Sequence, residues 1–225
     1  LVADSGGMSV APHPHTGLAT VSWLFTGEIE HRDSAGNVAM VLPGEVNLMT
    51  AGRGISHSEV STAATSTLHG AQLWVALPDG ARDVAPHFDH YAPDPVQGEG
   101  WTARVFLGDL LGSTSPVPTH SELLGAELLL DAGTSLVLDV DERFEHGVLV
   151  DLGAVSVEGE PLAAAELGYL ARGRRQLRLE ARERSRLLLL GGPPFGEAIV
   201  MWWNFVGRSH EEVVGFREEW QAQIT

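Results

Sequence analysis

No cysteine occurs in this 225-residue chain, and no lysine either. The first absence rules out a disulfide framework and any thiolate metal site, and leaves the compartment unreadable from redox chemistry. The second leaves arginine alone to balance the acids: 14 basic residues face 30 acidic ones, for a formal net charge of -16. So negative a chain does not track a phosphate backbone, which argues against direct nucleic-acid binding. No run of about 18 apolar residues is present and no charged-then-apolar leader opens the chain. We therefore expect a soluble, cytoplasmic monomer with no membrane partner. The chain starts at Leu1 and not at Met, and we expect residues upstream of it to have been removed or left out.

Two short stretches stand out, each with a pair of candidate donors two residues apart: Pro12-His13-Pro14-His15 and Ile55-Ser56-His57-Ser58-Glu59. In a β-strand, residues i and i+2 project to the same face, so each stretch can aim two donors at one point. Together His13, His15, His57 and Glu59 make a set of three imidazoles and one carboxylate. Such a set suits a divalent first-row metal and not calcium, which prefers oxygen alone. Either pair by itself is weak, because exposed strand histidines are common; both together, each near a glycine-rich turn, point to a metal site. Iron, manganese, nickel, copper and zinc all accept these donors. A closed structural site usually has Cys or four tight tetrahedral ligands, so a purely structural metal ranks last.

A chain of this length forms one large β domain or two ordinary ones. Thr20–Phe25 is rich in β-branched and aromatic residues, and Gly27 starts Glu28-Ile29-Glu30-His31 as the return strand of a hairpin. Ser34–Asn37 is a turn. Val38–Leu42 and Val46–Met49 are strands on either side of Pro43-Gly44, and an alternating segment runs from Thr67 to Leu77. The prolines between Ala81 and Gly100 predict a long surface connection, in which His87 and His90 read as loop histidines and not as extra polar groups over a pocket. Strands this short and this often punctuated mean a barrel or a sandwich.

Gly108–Ser115 reads as a hinge, dividing residues 1–108 from 109–225. Beyond it, Ala126–Leu130, Ser135–Val140, Gly147–Leu152, Ala154–Glu158, Gln176–Glu180 and Arg186–Leu190 repeat the same rhythm of strand and turn. Leu149–Val157, around Gly153, echoes Trp23–His31, around Gly27, as an internal repeat would. The ligands do not repeat: Asp139 and Asp141 stand roughly where His13 and His15 would, and no His-x-Glu follows. From Ser209 the period changes. Ser209 precedes Glu212 by three positions as in a capping box, and Val213, Val214, Phe216 and Trp220 recur at helical spacing, which predicts a helix over 209–223 packed on the protein's own barrel. Met201–Phe205 should pack between that helix and a sheet. Trp23, Phe25 and Met49 are candidate pocket walls, with core packing the simpler reading for each.

The run from Pro12 to Val60, HPHTGLATVSWLFTGEIEHRDSAG followed by PGEVNLMTAGRGISHSE, resembles the signature of the pirin family in the cupin superfamily. Gly191–Phe195 and Met201–Glu212 resemble that family's C-terminal half. The resemblance implies an all-β bicupin: two stacked jelly-roll-like barrels with a C-terminal α-helix. It assigns one Fe(II) in residues 1–108 to the positions of His13, His15, His57 and Glu59, and no metal to 109–225. Two departures matter. Other cupins commonly take their carboxylate from a Glu just after His-x-His, where this chain has Ala19, so Glu59 must serve. Pirins also carry a few tens of residues before this motif, including strands of the first barrel, and most of these are missing here, so either they lie outside this sequence or the first barrel is more open than usual.

What the resemblance implies chemically is a quercetinase, in which O2 opens the central ring of a flavonol. Glu59 would act as the catalytic base for the flavonol hydroxyl while the imidazoles hold and tune the ion. The alternative is not an enzyme: some pirins are regulatory partners of transcription factors or metabolic enzymes, with the redox state of the iron altering their surface. Pocket character separates the two. An enzyme needs an open apolar cavity beside the metal; a redox switch needs only a buried ion near a flexible loop.

Overall fold

The computed structural model describes residues 7–224; residues 1–6 and 225, at the outer ends of the two expected domains, lie outside them. The chain divides into two compact units, one of residues 1–90 with 196–225 and the other of residues 91–195. In the first lie β1 (Ser9–His15), β2 (Leu18–Thr26), β3 (Ile29–Asp33), β4 (Val38–Val41), β5 (Val46–Thr50), β6 (Ile55–Ser61), β7 (His69–Ala76) and β8 (His87–Tyr91), whose last residue crosses the division. They form two sheets, in the orders β1-β6-β3-β4 and β7-β2-β5-β8. Glu59 of the first sheet bonds to Gln72 of the second, so the two inner faces meet as in a barrel closed from two sheets.

The expected hairpin at Gly27 is not one. β2 pairs with β5 and β7, while β3 pairs with β4 and β6 in the other sheet. The chain changes sheets at Gly27, where φ is 86° and a Cβ would come 2.5 Å from the Thr67 carbonyl oxygen. A hairpin turn and a corner both need a glycine of this kind, so the local pattern does not separate them.

The second unit contains β9 (Val96–Gly98), β10 (Trp101–Leu107), β11 (Asp109–Leu110), β12 (Ser113–Thr114), β13 (Leu124–Leu130), β14 (Ser135–Asp139), β15 (Glu145–Leu152), β16 (Ala154–Val157), β17 (Glu160–Ala163), β18 (Leu167–Leu170), β19 (Gln176–Ala181) and β20 (Ser185–Gly192). Its sheets run β18-β15-β20-β13-β10-β9 and β14-β19-β16-β17. Here too the chain changes sheets at a glycine with positive φ, Gly153 at 83° between β15 and β16, the counterpart of Gly27 in the internal repeat. Period-two alternation turns Leu128, Leu138, Val148, Val150, Leu177, Leu187 and Leu189 inward to a continuous apolar core.

The boundary therefore falls at His90/Tyr91 and not at 108/109. β10 pairs with β13, which draws residues 101–107 into the second unit, and the expected hinge is instead a small hairpin of β11 and β12. Nor is 81–100 a bare connection, since β8 joins β5 and β9 pairs with β10.

After the second unit the chain returns to the first as β21 (Val200–Trp202), β22 (Phe205–Gly207) and α1 (His210–Ile224). Val206 N donates to Thr16 O at 2.9 Å, and Arg82 grips the Glu212 carboxylate with two nitrogens at 2.5 and 3.1 Å. The cap is as expected, with Glu212 N donating to Ser209 Oγ at 3.2 Å. Val213 is buried and Phe216 meets Phe205 at a 6.0 Å ring separation. The apolar run before the helix is not all interior, however. Phe205 is buried, whereas Met201, Trp202 and Trp203 are about half exposed or more, at 62%, 49% and 50%. Trp202 and Trp203 stand at the tip of the β21–β22 hairpin, with Trp203 at φ 50°, and a tip cannot be covered by the strands it joins. No helix among the described residues is long and apolar enough to cross a membrane.

The return of the C-terminal segment to the β1–β2 connection rests on Gly17, whose Cβ would lie 2.0 Å from the Val206 carbonyl oxygen, at φ 73°. Gly17→Ala should therefore cost about 3 kcal/mol or more, and Gly36→Ala, with φ 92° but open space around it, only about 1 kcal/mol of backbone strain. Urea midpoints of the two variants measure the difference, and equal losses would refute the close approach.

Candidate metal centre

β6 lies between β1 and β3. His13 stands opposite His57, His31 opposite Glu59, and Asp33 opposite His57. Cross-strand partners share a face, and so do residues two apart, so this register turns His13, His15, His31, Asp33, His57 and Glu59 to one side. The candidate donor atoms of His13, His15 and His57 lie within 4.8 Å of one another, and so do those of His31, His57 and Glu59. The structure thus gathers the three expected imidazoles and links Glu59 to them through His57. His31 is an addition. It lay in a segment read as half of a hairpin, and no local signal tells that its strand abuts β6.

The hydrogen bonds suit a ligand role. His13 Nδ1 lies 2.9 Å from the Ala11 carbonyl oxygen, so it donates there and leaves Nε2 as the free donor to a metal. His15 Nε2 and His57 Nε2 face each other at 3.1 Å, a convergence of two imidazole donors that one cation would satisfy. Burial, followed by the proximity of His13, His15 and His31, pushes the His57 pKa down to about 2. His15 is lowered to about 4, by burial first and His13 second, against an opposing hydrogen bond to the Asn204 backbone. Both rings are therefore neutral near pH 7, the form that coordinates metals. Three imidazoles with donor atoms within 4.8 Å of one another, joined to a carboxylate through His57, suit a divalent first-row ion.

Glu59 is 4% exposed. Gln72 Nε2 donates to its Oε1 and Oε2 at 2.9 and 3.1 Å, and lies 3.2 Å from Ser22 Oγ. Beside them is a cavity of about 210 Å³, lined by Met8, Ser22, Leu24, Ile29, Glu59, Leu68, Gly70, Ala71 and Gln72. Gln72 carried no sequence signal beyond its place in an alternating strand. None of the three expected walls lines this cavity. Trp23 and Met49 are fully buried, Met49 in a cluster with Ala51, Ile55 and Phe88, and the Phe25 ring packs against His69. His87 and His90 lie in β8, the first paired with Asp89 and the second with Asn47 and Glu45. Asp139, exposed, accepts a hydrogen bond from Gln176, and Asp141, partly buried, pairs with Arg143.

A neutral buried imidazole makes stability depend on pH. With folded pKa values below the ordinary 6.5, the unfolded chain takes up protons that the folded chain refuses, so stability is full above about pH 6.5 and falls as the pH drops toward 4 for His15 and further for His57. Between pH 6.5 and 5 each ring should cost the metal-free protein about 2 kcal/mol. His57→Gln should remove its share of that slope, as read from urea unfolding at pH 7 and pH 5; a slope unchanged by this substitution would show that the ring is solvated.

Known proteins resemble this chain in sequence and in fold. The profile of the pirin family matches residues 2–75, and that of the pirin C-terminal cupin domain matches residues 125–224. A Pseudomonas aeruginosa protein named "Putative quercetin 2,3-dioxygenase PA1205" is 48% identical over 217 residues, covering 96% of this chain and 69% of that protein. The crystal structure of a quercetin 2,3-dioxygenase from Acinetobacter baumannii superposes with a TM-score of 0.92 at 39% identity, over 96% of this chain and 73% of that one. An Escherichia coli pirin, YhhW, solved in complex with nickel(II), superposes at 0.69 with 25% identity, over 84% of this chain and 78% of that one. With both halves matched, two cupin barrels observed and a histidine cluster in the first, this chain belongs to the pirin family.

Proposed function

We propose that the protein is a dioxygenase of the quercetinase type, which holds one Fe(II) through His13, His15, His57 and Glu59 and opens the central ring of a flavonol with O2. The observation that carries this reading is a mainly apolar cavity beside the donor cluster, with Glu59, Gln72 and Ser22 as its polar groups. A redox switch or a structural ion has no need of such a space. At about 210 Å³ the cavity falls below the roughly 300 Å³ at which pockets for drug-sized ligands begin, so it takes one end of a flavonol and leaves the other toward solvent. The names of the quercetin dioxygenase relatives and the nickel bound by the Escherichia coli pirin support the choice of substrate class and of a divalent ion.

Held there, iron would supply Lewis acidity and a path for electrons between flavonol and O2. The chain supplies the rest. Leu24, Ile29 and Leu68 exclude water from the reacting end, and Gln72 holds the Glu59 carboxylate beside the cavity. Glu59 takes the proton of the flavonol hydroxyl at one carboxylate oxygen. Protein loaded with iron and checked by elemental analysis should bind quercetin anaerobically with a spectral shift, then consume O2 as the flavonol absorbance falls. No change in a fully loaded protein would overturn the enzymatic reading and favour a regulatory partner. Glu59→Gln should keep most of the metal and lose about 100-fold or more in turnover, the usual worth of a general base; full activity would remove Glu59 from that role.

A further inference from the structure

We infer that His31, itself held by Asp33, is a positioning residue that fixes His57 as its Nδ1–H tautomer and so leaves His57 Nε2 bare for the metal. This rests on the reading of His57 as a ligand. The side chains form an unbroken chain: Asp33 Oδ2 lies 3.3 Å from His31 Nε2, and His31 Nδ1 lies 3.3 Å from His57 Nδ1. Direction along this chain is decided at its end. The Asp33 side chain is fully buried, and its two oxygens also take hydrogen bonds from Ala35 N, Asn37 N and Asn37 Nδ2. An ionised carboxylate can only accept, so His31 Nε2 must be the donor. In its neutral form the His31 imidazole has one N–H, so Nδ1 is then an acceptor, and the proton between the two rings belongs to His57 Nδ1. The remaining nitrogen of His57, the one facing His15, carries a lone pair.

The arrangement is rigid as well as directional. His31 and Asp33 sit two apart on β3 against His57 and Glu59 on β6, and the His31 ring packs on Phe88 with 4.8 Å between centroids. A ligating histidine whose other nitrogen donates to a fixed acceptor is held in both tautomer and ring orientation. Here the acceptor is a second histidine with a carboxylate behind it. His13 obtains the same service from the Ala11 carbonyl oxygen.

The test compares His31→Leu, which removes the acceptor, with His31→Asn, whose Oδ1 can accept near the position of Nδ1. In metal-free protein at pH 8, nitrogen-15 NMR of the imidazoles should find His57 protonated on Nδ1 in the wild type and in His31→Asn. In His31→Leu the Nε2–H form should appear. Zinc, as a diamagnetic probe measured by chelator competition, should bind His31→Leu about 10 to 100-fold more weakly than the wild type, and His31→Asn within a few-fold of it. A wild-type His57 protonated on Nε2 would overturn the inference. So would zinc binding by His31→Leu equal to the wild type, or His31→Asn as weak as His31→Leu. A folded wild type that binds no zinc although His57 carries its proton on Nδ1 would instead overturn the metal-site reading, so the two failures are distinguishable.

Discussion

The register of β6 between β1 and β3 is the constraint on which the site depends. A slip of one residue in either ladder would turn His57 and Glu59 outward while leaving the hydrogen-bond pattern of the sheet almost intact. What forbids the slip is the apolar half of the same pattern: Ile55, on the face of His57, joins Met49 and Ala51 in the core, and Ile29, two before His31, joins Leu24 and Val41. Polar residues in the interior are thus located by apolar ones at either end of their strands. Burying several imidazoles and two carboxylates without partners would cost more than those contacts return. The hydrogen bonds to Ala11, Gln72 and Asn37 reduce that cost, and a cation would reduce it further.

The two units show what this arrangement displaces. In the second, the inward positions of the sheets are filled by leucine, valine and alanine to form one apolar cluster. In the first, the corresponding strand faces carry histidine and carboxylate. A barrel interior filled with close-packed aliphatics leaves no room for a ligand, while one filled with imidazoles leaves both a donor set and space next to it. The same topology, with its change of sheet at Gly27 and at Gly153, thus serves packing in one half and gathers a histidine cluster in the other.

How much of this was legible in the sequence follows the range of each interaction. His-x-His and His-x-Glu are local: period-two projection within a strand suffices to place His13 with His15 and His57 with Glu59. The helix from Ser209 was legible for the same reason, since cap and periodicity lie within one element. His31 and Gln72 were not, because their importance comes from strand neighbours many residues away, and nothing at Gly27 tells a corner from a hairpin. The domain division failed similarly. Glycines at 108 and 112 looked like a hinge, but the pairing of β10 with β13 decides the matter, and pairing is a long-range property. The tryptophans of the 201–205 run were misplaced because hydrophobicity alone does not say which side of a hairpin tip has a neighbour.

Proposed as both a ligand and a base, Glu59 has surroundings that suit the two roles. One amide nitrogen, Gln72 Nε2, serves both of its oxygens, so the carboxylate can rotate about its own axis and exchange one contact for the other without losing its holder. At the same time a Glu59 oxygen already lies within 4.8 Å of donor atoms of His57 and His31. A shift between facing the imidazoles and facing the cavity is then a side-chain rotation and not a movement of β6. That economy requires the imidazoles themselves to stay still, because a carboxylate that changes its binding mode needs fixed partners to change against. The chain from Asp33 through His31 to His57 supplies that stillness on one side of the carboxylate, and Gln72 supplies a pivot on the other.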